Sequence, residues 1–359
     1  MTASTVSYAS TPMLTIGGDL ALGPMHDLLE LSVDEDVNGL TSLEARFVNW
    51  GYTGTGQGSL YLDRTTFDFG KDLKVGFGPD TGDVLFTGKI SALQADYPDG
   101  GAGSMSICAE DALQDFRLTR RTRTFDDSST KDIANTMVSE HGLTPQLDLD
   151  GPTRKVVNQL NISDLAFLRS LAYADGGEVW LDDKTLHLQG RADRDGGTAT
   201  LTYPGSLQSF SVRADLAHQV TDVAICGWSV ADKDAIKETG DSSALGAELG
   251  SGDTGGSDVL KKAFSERHEM IVVGEPLQSD DATARAKAAY LDRARRFLTG
   301  TGLTAGSPSI RVGTRVTLAG LSPLFNGDYR VIRTRHHYDL VKGYTTEFDV
   351  ERAGIGASQ

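Results

Sequence analysis

Two distant stretches of the chain repeat one order of features. Near the start, KVGFG is followed by GDVLFTGKISALQADY, a Gly-rich turn and SMSICAED. Near the end, RVTLAG is followed by GDYRVIRTRHHYDL, a turn at Lys342-Gly343, and YTTEFDVER. Each run has a short strand, a loop ending in Gly-Asp (Gly82-Asp83 and Gly327-Asp328), a long strand, a hairpin and a strand ending near an acid (Glu110 and Glu351). Apolar and polar residues alternate with period two throughout, the signature of half-buried strands. An echo of this kind predicts two similar small β-barrels: the first largely local, the second assembled from about 198–230 plus 310–352.

The remainder predicts an α+β, mainly β chain. Residues 120–197 read as a compact α+β insert. Ser128, Ser129 and Thr130 offer caps to a helix that Gly142 stops, and a second helix runs from Ser163 to Gly176. A hairpin with its turn at Asp182-Asp183-Lys184 follows. Residues 279–299 predict a long helix in the C-terminal half, capped by Ser279, with Asp280 and Asp281 in the first turn, Arg293, Arg295 and Arg296 in the last, and Gly300 as its stop. Residues 232–259 hold seven acids, two lysines and no aromatic residue, and so predict a mobile surface loop. The expected organisation is therefore 1–119 as first barrel with an N-terminal arm, 120–197 as insert, 198–231 with 306–359 as second barrel, and 232–305 as flexible loop plus helix.

Composition excludes several functions. Lys plus Arg is 34 against 50 Asp plus Glu, a formal net charge of −16. Affinity for phosphate comes mainly from Lys and Arg, so direct nucleic-acid binding and docking on an anionic membrane are not expected. No signal-peptide pattern opens the chain, and no apolar run of about 20 residues could span a bilayer. Cys108 and Cys226 sit in separate strand-like runs with no CxxC spacing, which fits core thiols of a protein made in a reducing cytoplasm.

No catalytic, metal or cofactor residues are assigned. His336 and His337 are neighbours on a strand and point to opposite faces, so they cannot chelate one ion in regular geometry. The pairs Asp126/Asp127, Asp182/Asp183 and Asp280/Asp281 each have a structural reason: before a helix, in a hairpin turn, and at a helix start. Trp50, Trp180 and Trp228 are scattered over separate elements and make no stacking platform. The basic cluster Arg117, Arg120, Arg121 and Arg123 stands out in an acidic chain; it fits a solvated linker or a subunit contact to an acidic neighbour.

The insert, RTRTFDDSSTKDIANTMVSEHGL through QLNISDLAFLRSLAYADGGEVWLDDKTLHL, resembles the central part of the phage late control protein D family. The C-terminal run resembles the same family's last barrel through Val316, Leu318, Gly320-Leu321, Asn326-Gly327-Asp328-Tyr329, His336-His337, Gly343-Tyr344-Thr345-Thr346, Phe348 and Arg352. That family contains baseplate hubs of contractile phage tails, the hub part of the valine-glycine-repeat spike proteins of type VI secretion systems, and hubs of extracellular injection particles. The resemblance implies a structural homotrimer whose two barrels per chain form a pseudo-six-fold ring. The ring would meet the six-fold inner tube protein on one face and the three-fold central spike on the other, among other baseplate proteins. The chain ends at Gln359 without a needle or lysozyme segment, so the spike is expected as a separate protein. The repeated loops suggest Asp83, Asn326, Gly327 and Asp328 as tube-facing residues, and the Arg cluster suggests subunit contacts. The expected place of assembly is a phage tail or contractile injection baseplate. A tail-tip peptidoglycan hydrolase or a carbohydrate-binding module is the alternative reading.

Overall fold

The computed structural model describes residues 11–77 and 84–357. Strands hold 48% of the chain and helices 20%, so the mainly β expectation is met.

The first repeat comprises β2 (Leu28–Asp36), β3 (Ser42–Val48), β4 (Asp72–Gly76), β5 (Val84–Asp96) and β6 (Ser104–Glu110), preceded by β1 (Met13–Ile16). Its period-two pattern acts as the sequence implies: Leu43, Ala45 and Phe47 point into the core while Glu44 and Arg46 face outward. The insert follows, with α1 (Leu113–Leu118), β7 (Arg120–Ser128), α2 (Thr130–Glu140), β8 (Thr144–Leu147), β9 (Arg154–Ser163), α3 (Asp164–Ala174), β10 (Gly177–Asp182) and β11 (Thr185–Gly190). Ser129 and Asp132 form a reciprocal capping box on α2, and Ser163 caps α3. Gly142 and Gly176 follow the two helices at φ 67° and 75°, where a Cβ would be strained. The insert has its own core, including Ile133, Met137, Leu165, Leu168, Val179 and Leu186.

The second repeat comprises β13 (Leu207–Ala214), β17 (Leu298–Ala305), β18 (Arg315–Ala319), β19 (Gly327–Asp339) and β20 (Gly343–Arg352), with β12 (Thr198–Thr202) running parallel to β18. Between β13 and β17 lies a separate lobe of β14 (Asp222–Ser229), β15 (Asp234–Asp241), α4 (Gly256–Phe264), β16 (His268–Pro276) and α5 (Ser279–Arg295).

The two repeats have one strand order. In the first, β2 pairs with β3, β3 with β6, β6 with β5, and β5 with β4. In the second, β13 pairs with β17, β17 with β20, β20 with β19, and β19 with β18. Their irregularities coincide. The β2–β3 register shifts between Leu28 and Glu30, and the β13–β17 register between Leu207 and Ser209. The β5–β6 register shifts between Ile90 and Ala92, and the β19–β20 register between Val331 and Arg333. Both long strands are 13 residues. Bulges re-aim a strand and persist as built features, so coincident bulges mark one unit used twice.

Four expectations are corrected. Neither repeat closes into a barrel by strand pairing among the described residues. Instead β2 pairs with β19, and both repeats lie in one 13-stranded sheet. Asp222–Ser229, expected in the second repeat, forms a three-stranded sheet with β15 and β16, and Leu298–Ala305 takes the place expected of it. Residues 232–259 are not an irregular loop: β15 pairs with β14 along its length, and a 3₁₀ segment, Ser242–Glu248, precedes α4. Backbone pairing, the burial of Gly240 against α5, and the packing of Ile236, Leu245 and Leu249 into apolar clusters order this acidic segment. Finally, α5 ends at Arg295, and Gly300 lies inside β17, where the ring of Phe210 fills the space a side chain would take. Ser279 is the first helical residue, not the cap, and its hydroxyl meets Glu238.

Candidate functional site

Two kinds of surface compete as the working site: the seam where the repeats join, and the residues singled out by sequence. The seam is a register of β19 on β2 running from Arg333 opposite Asp36 to Asp339 opposite Glu30. On its buried face, Thr334 and His336 meet Glu35 and Val33. The Nδ1 of His336 lies 2.9 Å from the Tyr344 hydroxyl, and Tyr344 stacks on Phe77 of the first repeat at 3.8 Å. One apolar cluster therefore contains residues of both repeats. On the outer face, Asp34 receives Arg335 at 2.9 Å and Arg333 at 3.1 Å, while on the buried face Glu35 pairs with Arg311.

The Arg cluster lies along α1 and β7. Arg117 pairs with Glu110. Arg121 and Arg123 share Glu140 and reach Asp164. Asp164 is buried; burial alone would raise its carboxyl, but hydrogen bonds from Gln159 and His141 and the two arginine charges hold it below its ordinary value. Arg120 donates to the backbone carbonyl of Asn161 at 3.1 Å. Three members thus bridge acids of their own chain, and two of them, Arg121 and Arg123, tie β7 to α2 and α3.

Asn326, Gly327 and Asp328 lie where β19 begins. The Asn326 side chain accepts from the Leu321 N–H at 2.9 Å, and its carbonyl accepts from Arg352 at 2.8 Å. Gly327 sits at φ 135°, with the Arg352 guanidinium in the space of a Cβ. Asp328 accepts from the Thr317 hydroxyl at 2.6 Å. Asp83, its counterpart in the sequence echo, lies outside the described residues.

The carboxylate pairs lie on separate elements. Asp127 pairs with Lys155 on the surface, and Asp281 is buried on Arg154 and Arg285. His336 is buried while His337 is partly exposed, as opposite faces require. Among the described residues, no group of three His, Cys, Asp or Glu side chains gathers as a metal site, and no helix is long and apolar enough to cross a membrane.

One arrangement has no sequence signature. Glu178 on β10 is buried and receives Arg191, Arg194 and Arg330 at 3.1–3.2 Å. Arg191 also meets the buried Glu351 of β20, whose carboxyl burial pushes up. This cluster docks the insert onto the second repeat. A charged cluster is expensive to bury unless every member is paired, so it marks a fixed junction. Its members come from β10, the stretch just after β11, β19 and β20, and no motif connects them.

No curated protein matches the chain in sequence. Among solved structures, it is similar to the 43 kDa tail protein of prophage MuSo2 from Shewanella oneidensis, with 14% identity, a TM-score of 0.70, and 96% of this chain and 98% of that one covered. It is similar to the tail protein from Neisseria meningitidis MC58, with 14% identity, a TM-score of 0.68, and coverage of 97% and 98%. It is also similar to an E. coli component of the type VI secretion system, with 10% identity, a TM-score of 0.53, and coverage of 92% and 76%. At these identities the likeness is one of fold. The family model described as the Alg8 N-terminal domain matches residues 21–339, and the chain belongs to that family.

Proposed function

We propose that the chain is a structural hub subunit of a contractile tail or injection apparatus, related to the late control protein D family. Three copies close into a ring that carries two matching units per chain. One face of the ring meets a six-fold inner tube, and the other holds a three-fold spike. The observation that carries this reading is the unit used twice, with coincident bulges, joined edge to edge within one sheet. Such a chain can present six near-equal positions from three subunits. The shared fold with tail proteins supports the same reading. The role is mechanical: the ring fixes spike to tube so that both move as one body.

The Asn326-Gly327-Asp328 turn and Asp83 are the proposed tube-facing positions. Within the Arg cluster, Arg120 is the proposed subunit contact, since its guanidinium meets a carbonyl and not an acid. Native mass spectrometry of the purified chain, alone and with its tube and spike proteins, tests the proposal. A trimer supports it, and a monomer under every condition overturns it. Asp328→Arg should weaken tube binding while leaving thermal unfolding nearly unchanged.

A further inference from the structure

The two repeats differ at their edges. In the second, the far half of β19, beyond its ladder with β18, is covered by β2. In the first, the matching half of β5 pairs with β6 on one side, and among the described residues no strand lies on the other. Conversely β13, the counterpart of β2, pairs with β17 alone. Each chain thus shows one uncovered strand of each kind that its own seam brings together.

We infer that β13 of one copy pairs antiparallel with the Ala92–Tyr97 segment of another, repeating the internal seam between chains. This deepens the hub reading and rests on it, because it supplies the contact by which copies assemble. The register follows from the coincident bulges. Lys89 and Arg330 occupy one position, each opposite a glutamate, Glu110 and Glu351. Counting past the bulge, Gln94 corresponds to Arg335, Ala95 to His336 and Tyr97 to Tyr338. On the partner strand, Arg213 corresponds to Asp34, Val212 to Val33 and Phe210 to Leu31, through their places on β17 and β3. The internal pairs Arg335–Asp34, His336–Val33 and Tyr338–Leu31 then become Gln94–Arg213, Ala95–Val212 and Tyr97–Phe210 between copies.

The chemistry of this register is consistent along its length. One face pairs Leu93 with Ala214, Ala95 with Val212 and Tyr97 with Phe210, all apolar or aromatic. The other pairs Ala92 with Asp215, Gln94 with Arg213 and Asp96 with Ser211, with no like charges opposed. A slip of one residue would set Arg213 against an apolar neighbour, which is how a two-faced strand enforces its register. Burial shows the missing partner. Leu31 and Val33 are 0% exposed, whereas their counterparts Phe210 and Val212 are half-buried. Thr334 and His336 are 0% exposed, whereas Leu93 and Ala95 are half-buried and Tyr97 is 72% exposed. Arg213 has no ion-pair partner among the described residues, while Asp34 in the matching place holds two arginines. Uncovered strand edges invite pairing with another chain, and a head-to-tail contact of this type closes into a ring when its rotation divides a full turn.

Crosslinking of the full chain tests the pairing. In a background with Cys108→Ser and Cys226→Ser, Gln94→Cys and Arg213→Cys are combined and the protein is oxidised. Directly opposed positions lie about 4.5 or 5.5 Å apart at Cα, within the span of a disulfide. The expected result is a reducible covalent ladder above the monomer, several-fold stronger than for the out-of-register pair Gln94→Cys with Ser211→Cys. An oligomer by native mass spectrometry with no preference for the first pair overturns this contact and leaves the hub reading standing. Crosslinks without a closed trimer uphold the contact and overturn the ring. A monomer throughout, with no crosslink, overturns both. Should the cysteine variants misfold, Tyr97→Lys, at an exposed position, gives a second reading. It should weaken association about tenfold or more, as loss of an aromatic anchor does, with monomer melting unchanged. Unaltered association overturns the inference.

Discussion

The Nε of Arg335 donates to Asp34 at 2.9 Å across 301 residues of sequence, at the line where the two repeats become one sheet. The ion pair is partly solvated, with both side chains over a quarter exposed. The buried side of the same strand, Leu31 and Val33, is closed to water. Asp34→Ala should therefore cost no more than about 1 kcal/mol, as exposed pairs do. Leu31→Ala should cost about 2–5 kcal/mol through lost transfer energy and a cavity. Urea unfolding of the two variants gives the comparison; a larger loss from Asp34→Ala would mean that charge, not packing, holds the seam.

At the junction of insert and second repeat, Glu178 is the shared ion-pair partner of three arginines. Removing its charge leaves Arg194 and Arg330 buried without their carboxylate partner, while Arg191 keeps Glu351. Glu178→Gln is expected to lower stability by about 3–5 kcal/mol, the range for breaking one side of a buried pair. Limited proteolysis should then cut first around residues 190–197, which carry Arg191 and Arg194. Wild-type stability in the variant would show the cluster to be dispensable.

Two buried groups oppose one another in their response to pH. Burial pushes the Asp111 carboxyl up to about 6 from 3.8, against hydrogen bonds from the Thr41 and Leu113 N–H groups. The folded chain holds this proton more tightly than the unfolded chain. Its stabilising contribution is thus complete below about pH 4 and lost as pH rises through 6, roughly 3 kcal/mol in all. For His336, burial first and then the Arg311 charge bring the ring down to about 3 from 6.5. That contribution is complete above pH 6.5 and lost as pH falls towards 3. Asp111→Asn should flatten the decline between pH 4 and 6, and His336→Gln should flatten the acid limb. Unfolding midpoints across this range check both, and an unchanged slope in either variant removes that residue from the account.

Gly302 faces the ring of Phe348, whose nearest carbon lies 2.3 Å from where a Cβ would stand. The ring is locked in the core of the second repeat. Gly302→Ala should cost about 1–3 kcal/mol, the usual range for overpacking. A calorimetric scan with no lowering of the melting temperature would show that the ring can move.

Much of the repeat was legible because strand spacing and turn chemistry are local. KVGF and RVTLAG, the Gly327-Asp328 loop end and the hairpins fall where β4 to β6 and β18 to β20 form. What was not legible depends on distant partners. Gly300 resembles a helix stop, yet Phe210 from β13 makes it a strand residue. The stretch 232–259 is rich in acids, Gly and Ser, yet β14 supplies backbone partners to Asp234–Asp241, and Leu245 is buried in an apolar cluster. The Arg cluster reads as free basic charge, yet Glu140 and Asp164 lie on neighbouring helices. Local pattern specifies which segments are extended; it does not specify which segment pairs with which.

Residues 37–41 connect β2 to β3, while the same step in the second repeat, from β13 to β17, runs through the whole lobe of β14 to α5. The lobe leaves the strand order of its host untouched. In any closed assembly of such chains, bare and ornamented stations would alternate around the circumference. The inner wall could then approximate one rotational order while the outer rim keeps half of it, and accessory proteins would have a landmark by which to tell neighbouring stations apart.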